Sequence, residues 1–280
     1  MARTGLSAAN LLRELGAEVT VSDIKRSDQL GDYTEKLHPG VRPELGGHNV
    51  ESFLSTRTIV ASPGVPWDTP PLAEAREAGI EVISEIELAA RLTDLPIIAV
   101  TGTNGKSTTT VLLGEMLKAA GARISVGGNL GHPLVEMVRD ERSELLLVEV
   151  SSYQLQGIVH FSPRVGVMLN LSPDHLERHG DMKGYLEAKK RLYANMGPHD
   201  HLIVNGGSEE LADFGVDCPA QRTAFSRSVA VEGGAFLRSS EVVLRRAGVD
   251  QAIIPVDEIR IQGAHNLENA LAAIAAAAAL

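Results

Sequence analysis

Residues 97 to 121, IIAVTGTNGKSTTTVLLGEMLKAAG, constrain the fold more than any other stretch. An apolar run, Ile97 to Val100, reaches a turn punctuated by Gly102 and Gly105, and a long helical pattern begins near Lys106. Glycines let backbone N–H groups turn inward, and a helix N-terminus adds partial positive charge. The stretch Gly102-Thr103-Asn104-Gly105-Lys106-Ser107-Thr108 is therefore suited to a phosphate. Lys106 can reach terminal phosphates, and Ser107 or Thr108 can set a hydroxyl on Mg²⁺. The general pattern G-x-x-x-x-G-K-[ST] is matched in part, because Val100 stands where its first glycine belongs.

Around this unit, strand and helix patterns alternate. Ala8 to Leu15 is helical and stops at Gly16; AEVTVSD, closing at Asp23, is a strand. TRTIVASPGVP is a strand that runs into a loop at Ser62 to Gly64. A helix, a short strand and another helix follow up to Leu92. Such alternation predicts an α/β fold with a parallel sheet, whose ligands sit beyond the strands' carboxyl ends. TDLP, residues 93 to 96, reads as a connector. The phosphate-loop strand then opens a second unit with later strands ELLLVEV, RVGVMLNL and HLIVN. Two of these are nearly continuous apolar runs, as expected of strands covered on both faces. A helix is expected over 182–196. From about Arg222 to Gln262 the pattern predicts a lateral antiparallel sheet. The division expected is a Rossmann-like domain over 1–85 and a nucleotide-binding domain over 86–280.

Both ends read as cut. RTGLSAANLLREL resembles the turn and helix of a nucleotide-binding unit whose first strand should precede it, and the chain stops at Leu280 within a helical pattern. Loss of that strand predicts an unpaired edge or a hole in the first sheet.

Composition narrows the function classes. A net charge of −10 disfavours nonspecific nucleic-acid binding. The single cysteine, Cys218, excludes an internal disulfide framework, disfavours a cysteine zinc site and suits a reducing cytoplasm. No signal peptide is legible, and no run approaches the roughly 18 to 20 apolar residues of a membrane span.

Two further polar groups stand out. Glu149 interrupts the run LLLVEVSS near a strand's carboxyl end, where a buried charge calls for a partner cation. NLSPDHLERH brings Asp174, His175, Glu177 and His179 just after the next strand. The two histidines are four apart, but Leu176 stands where the zinc-protease pattern requires Glu.

TGTNGKSTTT, GGNLGHP, VEVSSYQL, LNLSPDHLERH, YLEAKKRLY and GAHNLENALAA occur in the order seen in the Mur ligases of peptidoglycan synthesis, which the chain resembles over essentially all 280 residues. The resemblance implies a P-loop-type central domain and ATP-driven amide formation through an acyl phosphate. VTVSD, IVASPGVP and EAGIEVISEIEL favour the member that joins D-glutamate to UDP-MurNAc-L-alanine. Carried over by position, Gly102, Thr103, Asn104, Gly105, Lys106, Ser107 and Thr108 would wrap the ATP phosphates, with Asn266 and Asn269 near the adenine. Ser107, Glu149, His175 and Lys189 would serve Mg²⁺, with Lys189 as a carbamate. Lys106, Lys189 and His175 would be the catalytic set. Arg3, Thr4, Asp23, Ile24, Lys25, Ser62, Pro63 and Gly64 fall where the family holds the uridine nucleotide, and Asn129, Gln154 and His175 where that substrate reaches toward ATP. The family's third domain, which supplies D-glutamate contacts, has no counterpart here. A monomer without nucleic-acid or membrane partners is expected. Competing readings are a non-catalytic nucleotide-binding module and a folylpolyglutamate synthase relative.

Overall fold

A computed structural model describes residues 3–129 and 131–280; Leu130 of the GGNLGHP motif lies outside the described residues. The chain forms two compact units. The first comprises Met1–Asp94, His132–Asp140 and Tyr153–Phe161; the second comprises Leu95–Gly131, Glu141–Ser152 and Ser162–Leu280.

The first unit begins with α1 (Arg3–Glu14), β1 (Thr20–Asp23), β2 (Arg42–Leu45) and α2 (Val50–Leu54). It continues through β3 (Thr58–Ala61), α3 (Pro70–Glu77), β4 (Glu81–Ser84) and α4 (Glu85–Ala90). α1 buries Ala8, Ala9 and Leu11 and ends before Gly16, whose φ of 89° suits a residue without Cβ. α3 opens on two prolines, which need no N–H partner in a first turn. Ala61, Leu72, Ala75 and Val82 form a small core with Phe53 and Trp67 against it. The strands make two separate parallel pairs, β1 with β2 and β3 with β4. Among the described residues no strand joins these pairs.

The second unit contains β5 (Ile97–Thr101), α5 (Lys106–Ala119), β6 (Ile124–Gly128), β7 (Leu145–Glu149) and β8 (Val165–Met168). α6 (Leu134–Met137) belongs to the first unit, and α7 (Ser152–Gln156) begins at the boundary residue Ser152. Next come α8 (Leu176–His179), α9 (Met182–Lys190) and β9 (His201–Asn205). The chain then runs through β10 (Gln221–Ser226), β11 (Gly234–Arg238), β12 (Glu241–Arg246), β13 (Val249–Pro255) and α10 (Ala264–Ala278).

One nine-stranded sheet runs in the order β13-β12-β11-β10-β9-β8-β5-β7-β6. All neighbours from β6 to β11 are parallel, and β12 is antiparallel to both β11 and β13. The expected lateral sheet is thus an extension of the central one, because β10 pairs directly with β9. β5, β7 and β8 are buried along their whole length, as their apolar runs predict. β5 lies between β7 and β8; the chain fills the β6 side first and then the β9 side. That reversal of direction opens a crevice at the carboxyl end of β5.

α10 packs its alanines into the core beside Leu113 and Leu117 of α5. Small side chains let the two helices approach closely. Among the described residues no helix is long and apolar enough to cross a membrane. α9 is shorter than expected, because its last turn tightens into a 3₁₀ segment over Arg191–Tyr193.

Candidate active site

The loop after β5 is shaped by its glycines. Gly102 has φ 153°, and a Cβ there would come within 2.9 Å of Leu169 Cβ. Gly105 has φ 82° and caps α5, and a Cβ there would collide with the Asn269 side chain. Both positions thus need the bare backbone. The N–H groups of the helical first turn, starting at Lys106, have no acceptor within the helix. Lys106 folds back over its own loop, its Nζ donating to Thr103 O at 2.7 Å and Gly102 O at 3.2 Å.

A second lysine converges on the same carbonyl. Lys189, only 1% exposed, donates to Gly102 O at 3.0 Å and to Thr101 Oγ1 at 2.8 Å. Thr101 Oγ1 in turn donates to Val150 O at 2.6 Å. The Tyr185 ring lies 5.3 Å from Lys189 Nζ. Burial, then the neighbouring Lys106 charge, pulls the Lys189 pKa down from its ordinary 10.5 to about 7. Both effects favour the neutral amine over the ammonium.

Glu149, 3% exposed, ends β7 beside this cluster. Its carboxylate is held by neutral donors: Ser107 Oγ donates to Oε2 at 2.6 Å and Asn129 Nδ2 to Oε1 at 2.8 Å. These hydroxyl, carboxylate and amide oxygens are hard donors of the kind Mg²⁺ takes. The bare backbone at Gly105 lets the Asn269 side chain close on the loop, and the N–H groups that open α5 are donors of the kind a phosphate takes. The residues present therefore fit both ATP and its metal.

His175 precedes α8 in the left-handed region, φ 52°, with Nε2 3.4 Å from Asp174 Oδ2 and Nδ1 3.8 Å from Glu177 Oε1. His179 turns elsewhere. Its Nε2 lies 2.9 Å from Ser152 Oγ, and its ring sits 5.3 Å from that of Tyr185. Burial holds its pKa below the usual imidazole value. Among the described residues no group of three or more His, Cys, Asp or Glu is arranged to hold a metal by itself. Asn266 Nδ2 donates to Gln262 O at 2.8 Å, and the buried Asn269 donates to Asn266 Oδ1 at 3.3 Å.

Of the residues expected at the uridine nucleotide, Asp23 ends β1 and takes the Lys25 N–H on Oδ1 at 2.8 Å. Ile24 is 72% exposed, and Lys25 is exposed too. Ser62, Pro63 and Gly64 follow β3 in a turn closed by Val65 N–H on Ser62 O. These strand ends belong to separate two-stranded sheets. Arg3 and Thr4 open α1; Arg3 pairs with Glu136 at 2.6 Å. Gln154 is buried in the first unit. Two residues of the site escaped sequence reasoning: Tyr185, whose hydroxyl lies 3.3 Å from Thr103 Oγ1, and Asn170, whose side chain bonds Asn104. Their motifs were legible; their long-range partners were not.

Comparison with known proteins agrees with this geometry. Residues 100–277 match the Mur ligase middle domain, and residues 1–84 match the Mur ligase MurD-like N-terminal domain. The chain is 40% identical over 281 aligned residues to the UDP-N-acetylmuramoylalanine–D-glutamate ligase of Acidobacterium capsulatum, covering 99% of this chain and 61% of the relative. It is 41% identical to the ligase of the same name from Geobacter metallireducens, with coverage of 99% and 61%. The chain thus spans about three-fifths of the length of these relatives. Among solved structures, the UDP-N-acetylmuramate:L-alanyl-gamma-D-glutamyl-meso-diaminopimelate ligase of Neisseria meningitides superposes with a TM-score of 0.62 at 22% identity, over 98% of this chain and 89% of that one. The UDP-N-acetylmuramate-alanine ligase of Thermotoga maritima does so at 0.54 and 21%, over 97% and 62%. With most of its length matched by the middle-domain model, and a phosphate loop, acidic strand end and buried lysine brought together in one crevice, the chain belongs to the Mur ligase family.

Proposed function

We propose that this chain carries the uridine-substrate and ATP sites of a ligase that joins D-glutamate to UDP-MurNAc-L-alanine in peptidoglycan biosynthesis. ATP would activate the substrate carboxylate as an acyl phosphate, with Mg²⁺ neutralising the charge of the phosphates. The observation that carries the reading is the convergence of Lys106 and Lys189 on Gly102 O, beside the Ser107–Glu149 pair.

The chemistry has one physical obstacle: a carboxylate must meet a triphosphate of the same sign. Lys106 sits on a flexible stem at the helix N-terminus and can turn from its loop carbonyls onto the phosphates. Preorganised cations and N–H donors of this kind stabilise charge that develops on a transferred group. Gly102 to Thr108 would hold the phosphates, with Asn266 and Asn269 near the base. Ser107, Glu149 and His175 would hold the metal.

Lys189 joins them after modification. Its neutral amine adds its lone pair to the carbon of CO₂ and loses a proton to solvent. The product is an anionic carbamate, an oxygen ligand in place of a repelling ammonium. Asp23, Ile24, Lys25, Ser62, Pro63 and Gly64, with Arg3 and Thr4, are the proposed uridine-nucleotide set. Asn129, Gln154 and His175 would take the substrate's acyl end. The setting we propose is a cytoplasmic monomer acting on soluble substrates.

The N-terminal match over 1–84 favours this reading over a folylpolyglutamate synthase relative, for which no uridine-binding first domain is expected. Calorimetric titration of the chain with UDP-MurNAc-L-alanine and with dihydropteroate tests it. Saturable binding of the uridine compound alone is expected; saturable binding of dihydropteroate alone overturns the assignment. ATP and Mg²⁺ binding without phosphate release, with all three substrates present, would assign this chain a binding role only.

A further inference from the structure

We infer that Asn170 is a positioning residue that fixes the phosphate loop and divides its backbone donors between structure and ligand. The inference rests on the ATP reading proposed above. Asn170 follows the buried run of β8. Its Oδ1 accepts the Asn104 N–H at 2.8 Å, and its Nδ2 donates to Asn104 O at 3.0 Å. Its own backbone O accepts the Thr103 N–H at 3.0 Å. One carboxamide thus pairs with both polar groups of a single loop residue, as an adjacent strand would. Only a side chain with a flat carbonyl and amino group can do so.

The surroundings reinforce the pairing. Thr103 Oγ1 accepts the Ser172 N–H at 3.0 Å and lies 3.3 Å from Ser172 O. At Gly102 a Cβ would press on Leu169 Cβ and come within 3.3 Å of Asn170 N, so glycine lets the loop close onto the end of β8. Residues 102 to 104 are thereby stitched to residues 169 to 172.

The consequence concerns which N–H groups face a ligand. Those of Thr103 and Asn104 are committed to Asn170 and belong to the loop's frame. The donors left for phosphate are those from Gly105 to Thr108, at the start of α5. A loop fixed before the ligand arrives loses little conformational freedom on binding, so affinity for the phosphates is spared that cost.

Two measurements on the 280-residue chain test the inference. In the unaltered protein, hydrogen exchange should show Thr103 and Asn104 amides protected before nucleotide is added and unchanged by Mg²⁺ and ATP. Amides from Gly105 to Thr108 should gain protection. In Asn170→Ala, affinities for Mg²⁺·ATP and for inorganic tripolyphosphate should fall together by about tenfold, the scale of a lost hydrogen bond between neutral groups, while UDP affinity stays unchanged. An Asn104 amide that is unprotected at rest, or gains protection with ATP, overturns the inference. So does tripolyphosphate affinity within about twofold of the unaltered chain in a variant whose Asn104 amide has lost protection. If the unaltered chain binds neither ATP nor tripolyphosphate, the ATP reading fails and takes this inference with it. If it binds both and the variant does so equally, only the role of Asn170 fails.

Discussion

At the scale of single residues, burial sets the chemistry. Lys189 has a pKa near 7 because the fold surrounds its ammonium with β5, α9 and the Lys106 charge rather than water. Near neutral pH such an amine can capture CO₂, and guanidinium cannot. With ¹³C-labelled bicarbonate, the chain should show a carbamate carbon resonance that Lys189→Arg lacks; the same resonance in that variant would remove Lys189 from the role. Glu85 illustrates the opposite carboxyl case. It is 1% exposed, with Oε1 taking the Val135 N–H at 2.7 Å and Oε2 without a hydrogen-bond partner among the described residues. Burial raises its pKa from 4.5 to about 7. A raised carboxyl pKa means that the fold prefers the protonated form. Its stabilising contribution is therefore full below about pH 4.5 and is lost as pH rises through about 7. The size is at most about 3 kcal/mol. Urea unfolding at pH 5 and pH 8 should show this loss, and Glu85→Gln should flatten it. A variant with the same pH dependence would mean that Glu85 does not titrate in this window. Glu87, two residues on, goes the other way. Burial pushes it up, but N–H groups of Val159, His160 and Phe161, with Arg91, together outweigh burial and hold its carboxyl below the usual range.

At the scale of elements, the strands with strongly apolar runs were legible, as was the polar β1 within AEVTVSD, while β2 and β6 were not. β7, β8 and β9 fall within the runs read from the sequence and β5 exceeds its own only by Thr101, because strands covered on both faces leave little choice of residue. β2 is RPEL, with a proline and two charges, and β6 is ISVGG, a short alternation of Ile, Ser and Val cut off by two glycines, which weaken a strand. Of the site, Lys106, Ser107 and Glu149 announced themselves through a local pattern. Asn170 did not, since its partner lies 66 residues away and only the pairing of β5 with β8 brings them together. The junction of α5 and α10 yields a prediction. Gly105 holds a left-handed backbone against Asn269, so Gly105→Ala adds both strain and a clash. A loss of about 1–3 kcal/mol is expected, read as a lowered melting temperature with weakened ATP binding. An unchanged melting temperature would mean that the loop relaxes freely, contrary to a preset cradle.

For the whole molecule, residues 1–84 and 100–277 match two successive domains of one family, yet residues 132–140 and 153–161 of the second match lie in the first unit, whose strands form two pairs rather than a single sheet. Glu85 and Glu87 on α4 bind backbone N–H groups of residues 135 and 159 to 161, which ties these later segments into the first unit. Unit membership therefore does not follow chain order, and no local pattern in the sequence could reveal that. Glu87→Ala should expose the amides of Val159, His160 and Phe161 to faster hydrogen exchange; unchanged rates would show that other contacts hold this segment. The account as a whole depends on a triphosphate being clasped by the loop after β5. The most direct measurement is calorimetric titration of Mg²⁺·ATP into the chain and into Lys106→Ala, with UDP-MurNAc-L-alanine titrated into both. The account predicts saturable ATP binding by the unaltered chain, weakened at least about tenfold by the substitution, and equal uridine-substrate binding by both proteins. Equal ATP affinity in the two proteins, or none in either, would contradict it.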